Sequence, residues 1–339
     1  MKINVLIVAL TSLLIFISIG SPVFASTEKN HVVMLLWRGV TDAEKGFMEY
    51  LSSKVDVHFT ILDANRDKNA LSRHIKSLEH RKIDLVYTFG TTVTLALLGS
   101  ADNPTPFRSG NVPAVFSIVS DPIGSNIISR DSTSRNFTGV SHIVPHDVQF
   151  KSISMLEGVD SIGIVYNPLE NNSVVTAEKM QALSEQYNIQ VTLYPLSIIE
   201  NKPSLKSVES ITKKMANDGI DLAYLPPDSF VISSAKTIVK SMHNQNIMTF
   251  SSTETPIRKS QALIGIVSRY YNVGQFAAYK AEQVLNSHIN ISNISDIPIE
   301  PLSQYSYIVN IDAAKHLDYY PPVSVLKISE LIGNNSDDK

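Results

Sequence analysis

The chain of 339 residues contains no cysteine. That excludes disulfides, Cys-ligated zinc, iron–sulfur clusters, thiol nucleophiles and a lipid-modified N-terminal Cys together. An excess of charge of one sign is also lacking: 29 Lys and Arg stand against 32 Asp and Glu, a net charge of −3. No global field therefore draws the protein to nucleic acid or to an anionic membrane. Catalytic patterns are missing too. There is no HExxH, GxSxG, Walker loop or GxGxxG. No His and Asp arrangement singles out one serine for activation. His142 and His146 are separated by Pro145, which argues against one shared helical face, and both read as structural or exposed. Asp63 and Asp67 flank Arg66 in what reads as a solvated turn. These absences predict a protein that is not an enzyme and holds no metal or cofactor.

Long apolar runs are confined to one place. Met1 and Lys2 precede a run from Ile3 to Ile19, and Val23-Phe24-Ala25 offers small residues at the exit. Positive start, apolar centre and small-x-small exit predict that residues 1–25 are a secretory signal. The alternative is a single anchoring helix, since the run approaches the lower length for spanning a bilayer. Cleavage would leave a soluble mature chain beginning near Ser26, outside the cytoplasm.

What is present is a recurring strand-and-helix unit. Apolar, β-branched runs begin at Val32, Val55, Leu85, Ala114 and Phe137, and a second set begins at Ser161, Ile189, Leu222, Ile247 and Ala262. Continuous apolarity predicts strands covered on both faces, hence parallel sheet. Between them lie helical stripes. Thr41 to Glu44 forms a capping box ahead of Ala43, Phe47, Tyr50 and Leu51. Leu205, Val208, Ile211 and Met215 form a second stripe, stopped by Gly219. Val231, Ala235, Ile238, Val239 and Met242 form a third, and Ala277, Ala281, Val284 and Leu285 a fourth.

The two sets resemble each other. Ile83-Asp-Leu-Val-Tyr87 matches Ile220-Asp-Leu-Ala-Tyr224, and Phe116-Ser117 matches Phe250-Ser251. The expected fold is α/β: two similar doubly wound parallel-sheet lobes joined by a three-segment hinge. The predicted first lobe is 26–143 plus 269–303, the second 144–268 plus 304–332, and 333–339 a disordered tail. Ligands of open parallel sheets sit outside the carboxyl ends of the strands. The loops there are the candidate site.

Each loop supports two readings. Trp37, the only tryptophan, is either a core-edge residue or an aromatic wall. Gly90-Thr91-Thr92 opens a helix, where hydroxyls and free N–H groups either cap or bind a carboxylate or phosphate. Ser117 lies in the fourth strand, Ser120 and Asp121 follow it, and Asp121 before Pro122 is a turn or a ligand contact. The second lobe offers Tyr166, Asn167, Asp228, Ser251 and Thr253. Asp228 either caps the next helix or pairs with an ammonium group. Tyr270 and Tyr271, at a proposed crossing, either pack or stack on a ligand.

The ordered set FGTT from Phe89, PAVFSIVSDPIGSNII from Pro113, NFTGVS from Asn136, IGIVYNP from Ile162, LPPDSFV from Leu225, YNVGQFAAYKAEQVLN from Tyr271 and YIVNIDAAKHL from Tyr307 resembles the type I periplasmic binding proteins. More narrowly, it is similar to ABC-transporter substrate-binding components of the tryptophan/tyrosine-binding group. The resemblance implies a ligand, an amino acid of aromatic or similar kind, trapped between two lobes by a monomer and delivered to an ABC permease. A sensory subunit serving a membrane receptor is the alternative. By position it implies Thr91, Thr92 and Ser120 on the carboxylate side, Tyr166, Asn167 and Asp228 from the opposing lobe, and Trp37 in an early ligand-contacting loop. Without a lipidated Cys, it implies a free periplasmic protein of a Gram-negative bacterium.

Overall fold

The computed structural model describes residues 29–129, 135–286 and 293–333. The expected secretory signal and all of the expected tail beyond Gly333 lie outside the described residues. In chain order the strands are β1 (Asn30–Leu36), β2 (Val57–Asp63), β3 (Leu85–Phe89), β4 (Ala114–Val119), β5 (Phe137–Ser141), β6 (Ser161–Tyr166), β7 (Gln190–Pro195), β8 (Ile198–Ile199), β9 (Lys202–Pro203), β10 (Leu222–Leu225), β11 (Met248–Ser251), β12 (Ile264–Val267), β13 (Glu300–Pro301), β14 (Ser306–Asn310) and β15 (Ser329–Ile332).

Two larger sheets form. The first is ordered β13-β5-β4-β3-β1-β2 and is parallel throughout. The second is ordered β15-β14-β12-β11-β10-β6-β7 and is parallel except that β14 runs antiparallel to β12. Each sheet lays its first five strands in the same doubly wound order, with the first strand between the second and third. The sequence repeat falls on that order: Tyr87 on β3 and Tyr224 on β10 are fully buried. Their hydroxyls donate to Glu44 Oε1 at 2.6 Å and Gln149 Oε1 at 2.9 Å. β13, β14 and β15 carry no long apolar run, and they join the sheets only because the chain returns to cover exposed edges.

The helices close the faces. Helix Asp42–Lys54 begins with the expected capping box, Thr41 receiving the N–H of Ala43 while Glu44 accepts the N–H of Thr41. The third apolar stripe is split into Ser229–Ser233 and Ala235–His243, because Ser234 leaves helical geometry. After β5 the chain enters helix His146–Ile153, which buries Phe150 and Ile153 in the core of the second sheet. After β12 it enters helix Tyr270–Leu285, which buries Val273, Ala277 and Ala281 in the core of the first. Each sheet thus receives the helix that follows the fifth strand of the other. A further passage runs from β13 in the first sheet to β14 in the second.

Helices Asp42–Lys54 and Tyr270–Leu285 cross at glycines. A Cβ on Gly274 would overlap the Ala43 carbonyl oxygen, and one on Gly46 would overlap that of Tyr271. Ala in place of Gly274 gains up to about 1 kcal/mol of helix propensity. Backbone oxygens cannot rotate aside, so overpacking of about 1–3 kcal/mol or more outweighs that gain. Gly274→Ala is therefore expected to lower Tm by several degrees, read by thermal unfolding; an unchanged or raised Tm would refute the close crossing.

Candidate functional site

A narrow cleft, with a cavity volume of about 20 Å³, lies between the carboxyl ends of the two sheets. One wall is built from the first sheet. Trp37 and Arg38 follow β1, Phe89 ends β3, Gly90, Thr91 and Thr92 open the next helix, and Ile118 and Ser120 end β4. His142 follows β5, and Tyr270 stands at the start of the helix that returns from β12. The facing wall carries Glu170, Asn172, Pro227, Ser229 and Ile232.

The first wall presents unpartnered hydrogen-bond donors. Helix Gly90–Leu98 starts with Gly90 at φ +76°, a left-handed conformation that favours glycine. Its N-cap position is Phe89, which offers no side-chain acceptor, so the first N–H groups remain open. Thr91 does not cap: its Oγ1 is buried with no partner. The Arg38 guanidinium lies 5.2 Å above the Phe89 ring, and it donates to the Tyr270 hydroxyl only at 3.4 Å. Arg38 Nε is also buried without a partner. An unmade bond of this kind costs about 1–3 kcal/mol per group. Two such groups in one cleft, beside an uncapped helix start, point to a negatively charged ligand group.

The second wall carries the opposite charge. Glu170 accepts the Ser229 N–H at 3.0 and 3.1 Å, the Ser229 hydroxyl at 3.0 Å and Asn172 Nδ2 at 3.2 Å. Burial, then the neighbouring Asp228 charge, push the Glu170 carboxyl above the usual carboxylate range. Asp228 is itself raised by burial. A cationic ligand group would relieve both carboxylates.

The twelve sequence candidates divide. Trp37, Gly90, Thr91, Thr92 and Ser120 line the cleft. The structure does not bring the other seven to it. Ser117 is buried within β4 beside Phe89. Tyr166 ends β6 and packs against the second-sheet core. Asn167 Oδ1 accepts the Leu169 N–H at 3.0 Å, closing a local turn. Asp228 is a cap: it accepts Phe230 N–H at 2.8 Å and Val231 N–H at 2.9 Å. It also accepts Asn167 N–H at 2.8 Å and the Ser173 hydroxyl at 2.5 Å. With all these donors satisfied and no exposure, it supports the wall from behind. The Ser251 hydroxyl donates to the Thr253 carbonyl at 2.7 Å, and Thr253 is buried. Asp121 pairs with Lys179 of the other lobe.

Arg38, Glu170, Asn172, Ser229 and His142 were not among the candidates. Arg38 directly follows Trp37 where β1 ends, a position that carried a signal. Glu170 sits in an ordinary polar loop and gives none. His142, read as structural or exposed, is 2% exposed and faces the cleft. Tyr270, left open between packing and stacking on a ligand, is buried in the core and also lines the cleft.

The Asp121–Lys179 pair joins the two lobes away from the residues that line the cleft. Asp121 also accepts the Gly124 N–H at 2.8 Å, which fixes its carboxylate. Lys179 is 47% exposed, so screening limits the gain. Lys179→Met is expected to speed ligand release about 2- to 5-fold with little change in Tm, as for a partly exposed pair worth up to about 1 kcal/mol. Stopped-flow dissociation checks this, and an unchanged release rate would show that the pair plays no part in holding the lobes together.

Among the described residues no group of three or more His, Asp or Glu is placed to hold a metal. No described helix is long and apolar enough to cross a membrane.

Comparison with known proteins agrees with this architecture. A solved Vibrio cholerae conserved domain protein superposes with TM-score 0.77 at 19% identity, covering 91% of this chain and all of that one. A Streptococcus pneumoniae ABC domain solved with L-Trp superposes with TM-score 0.75 at 23% identity, covering 88% and 99%. A tyrosine-binding protein of Clostridioides difficile is 24% identical over 283 residues, 81% of this chain and 76% of that protein. Residues 35–331 match the family described as ABC transporter substrate binding protein, and the chain belongs to that family.

Proposed function

We propose that the cleft captures a free amino acid with an aromatic side chain, and that the loaded protein delivers it to an ABC permease from the periplasm. The carrying observation is the opposition of charge: Arg38 and an uncapped helix start on one wall, Glu170 on the other. A zwitterion spans those walls with its carboxylate toward Arg38, Thr91 and Thr92 and its ammonium toward Glu170. Trp37, Phe89 and Tyr270 provide the apolar surface for a flat side chain. The ligands for which the relatives are named or with which they were solved, tyrosine and tryptophan, have both features. Contacts to both walls favour the closed state over the open one. The three passages between sheets, at 142–145, 268–269 and 302–305, serve as the hinge.

Thermal unfolding tests this. L-Tyr or L-Trp at 100 times its Kd is expected to add about 2.7 kcal/mol of stability. The amino-acid amides and N-acetyl amino acids, each lacking one charge, are expected to add far less. No shift with any amino acid at millimolar concentration would refute the assignment.

A further inference from the structure

We propose that His142 is a specificity-determining contact that reads an uncharged polar atom on the ligand's aromatic side chain, so that the cleft selects a phenol or an indole over a plain phenyl ring. This rests on the amino-acid function proposed above and names its ligand more narrowly. His142 is 2% exposed, lines the cleft, and has neither Nδ1 nor Nε2 bonded to any group in the structure. A buried imidazole with both nitrogens unused is costly unless a partner arrives. Its neighbour Tyr270 meets the ring at 5.5 Å and 88°, an edge contact that fixes orientation and satisfies neither nitrogen.

Electrostatics decide which part of the ligand faces it. Burial holds the imidazole neutral, outweighing an opposing interaction with the Val119 backbone, and the Arg38 charge adds to it, with a pKa lowered to about 4. The same Arg38 charge repels an ammonium group from this corner, and Glu170 attracts it to the other wall. The carboxylate already has Arg38 and the open start of helix Gly90–Leu98. The polar ligand atom left for His142 is on the side chain. A neutral imidazole offers one donor and one acceptor. It can accept from a phenol O–H or an indole N–H, and donate to the phenol oxygen. Phenylalanine offers neither and would leave both nitrogens unpaired, a loss that a hydrogen-bonding site reads strongly.

Isothermal titration of L-Tyr, L-Trp and L-Phe into the full mature protein tests this, on wild type, His142→Leu and His142→Gln. Wild type is expected to bind Tyr or Trp about 10- to 100-fold more tightly than Phe. His142→Leu should bring the ratio to within about 3-fold of unity, chiefly by losing affinity for the polar ligand. His142→Gln, which keeps a donor and an acceptor, should restore part of the preference and covers the case in which Leu impairs folding. Equal binding of all three ligands by wild type would overturn the proposal, as would a preference that survives in His142→Leu. Binding of none of the three overturns the amino-acid function itself, a result distinct from unselective binding.

Discussion

Arg38→Ala is expected to weaken binding of an amino acid about 150- to 5,000-fold. Removing one partner of a buried, hydrogen-bonded charge pair costs about 3–5 kcal/mol, because the remaining charge is left without compensation. The ligand carboxylate is that remaining charge. Arg38→Lys should recover only part of the loss, since an ammonium cannot present the planar fork that grips both carboxylate oxygens. The effect on the empty protein should be small. Arg38 makes one long bond to Tyr270 and a ring contact with Phe89, and its Nε has no partner to lose. Titration with the amino acid and with its amide separates the terms. Wild type should bind the amide far more weakly, whereas Arg38→Ala should bind the two nearly alike. Wild-type affinity in Arg38→Ala would show that the carboxylate lies elsewhere.

The second large effect concerns Glu170, and its sign differs between the empty and the loaded protein. In the empty protein burial and Asp228 raise the Glu170 carboxyl. A raised folded-state pKa means that the native protein holds a proton the unfolded chain has released. The associated stability is present at low pH and is lost as pH rises through the raised value. Glu170→Gln removes that cost and is expected to stabilise the empty protein at neutral pH and above. The ligand ammonium reverses the balance, because it favours the ionised carboxylate. Affinity should be full above the raised pKa and fall as pH drops through it, approaching a tenfold loss per pH unit. The decline begins above the ordinary glutamate range. Burial holds His142 neutral down to about 4, so it does not produce the same profile. Glu170→Gln should bind about 30- to 100-fold more weakly at pH 8, with the pH dependence gone. Calorimetry from pH 5 to 9 decides the matter; a wild-type affinity that stays flat across that range would remove Glu170 from ammonium binding.

Helix starts show how much of this site could be read in advance. The FGTT segment marked an anion-binding helix start, and the structure adds that Thr91 leaves its hydroxyl free instead of capping. At Asp228 the same two alternatives resolve the other way. It caps helix Ser229–Ser233 because Phe230 and Val231 present their N–H groups to it, and Asn167 and Ser173 complete its shell. In both cases a polar side chain stands where a strand gives way to a helix. The difference lies in what the opposite segment supplies, which depends on residues some 60 positions away in the chain. Asp121 is a similar case: its turn before Pro122 was legible, its pairing with Lys179 across the lobes was not.

Sequence alone determined the alternation of strands and helices, the parallel sheets and the internal duplication. Each follows from local apolar period and from strings that occur twice. It also marked Trp37 and Gly90 to Thr92 as strand-end residues. Only the tertiary structure decided that Glu170 faces Arg38 across a cleft, and that His142 lies buried with both nitrogens unpaired. Charge opposition and burial are properties of distance between segments far apart in the chain, and no periodicity within either segment encodes them.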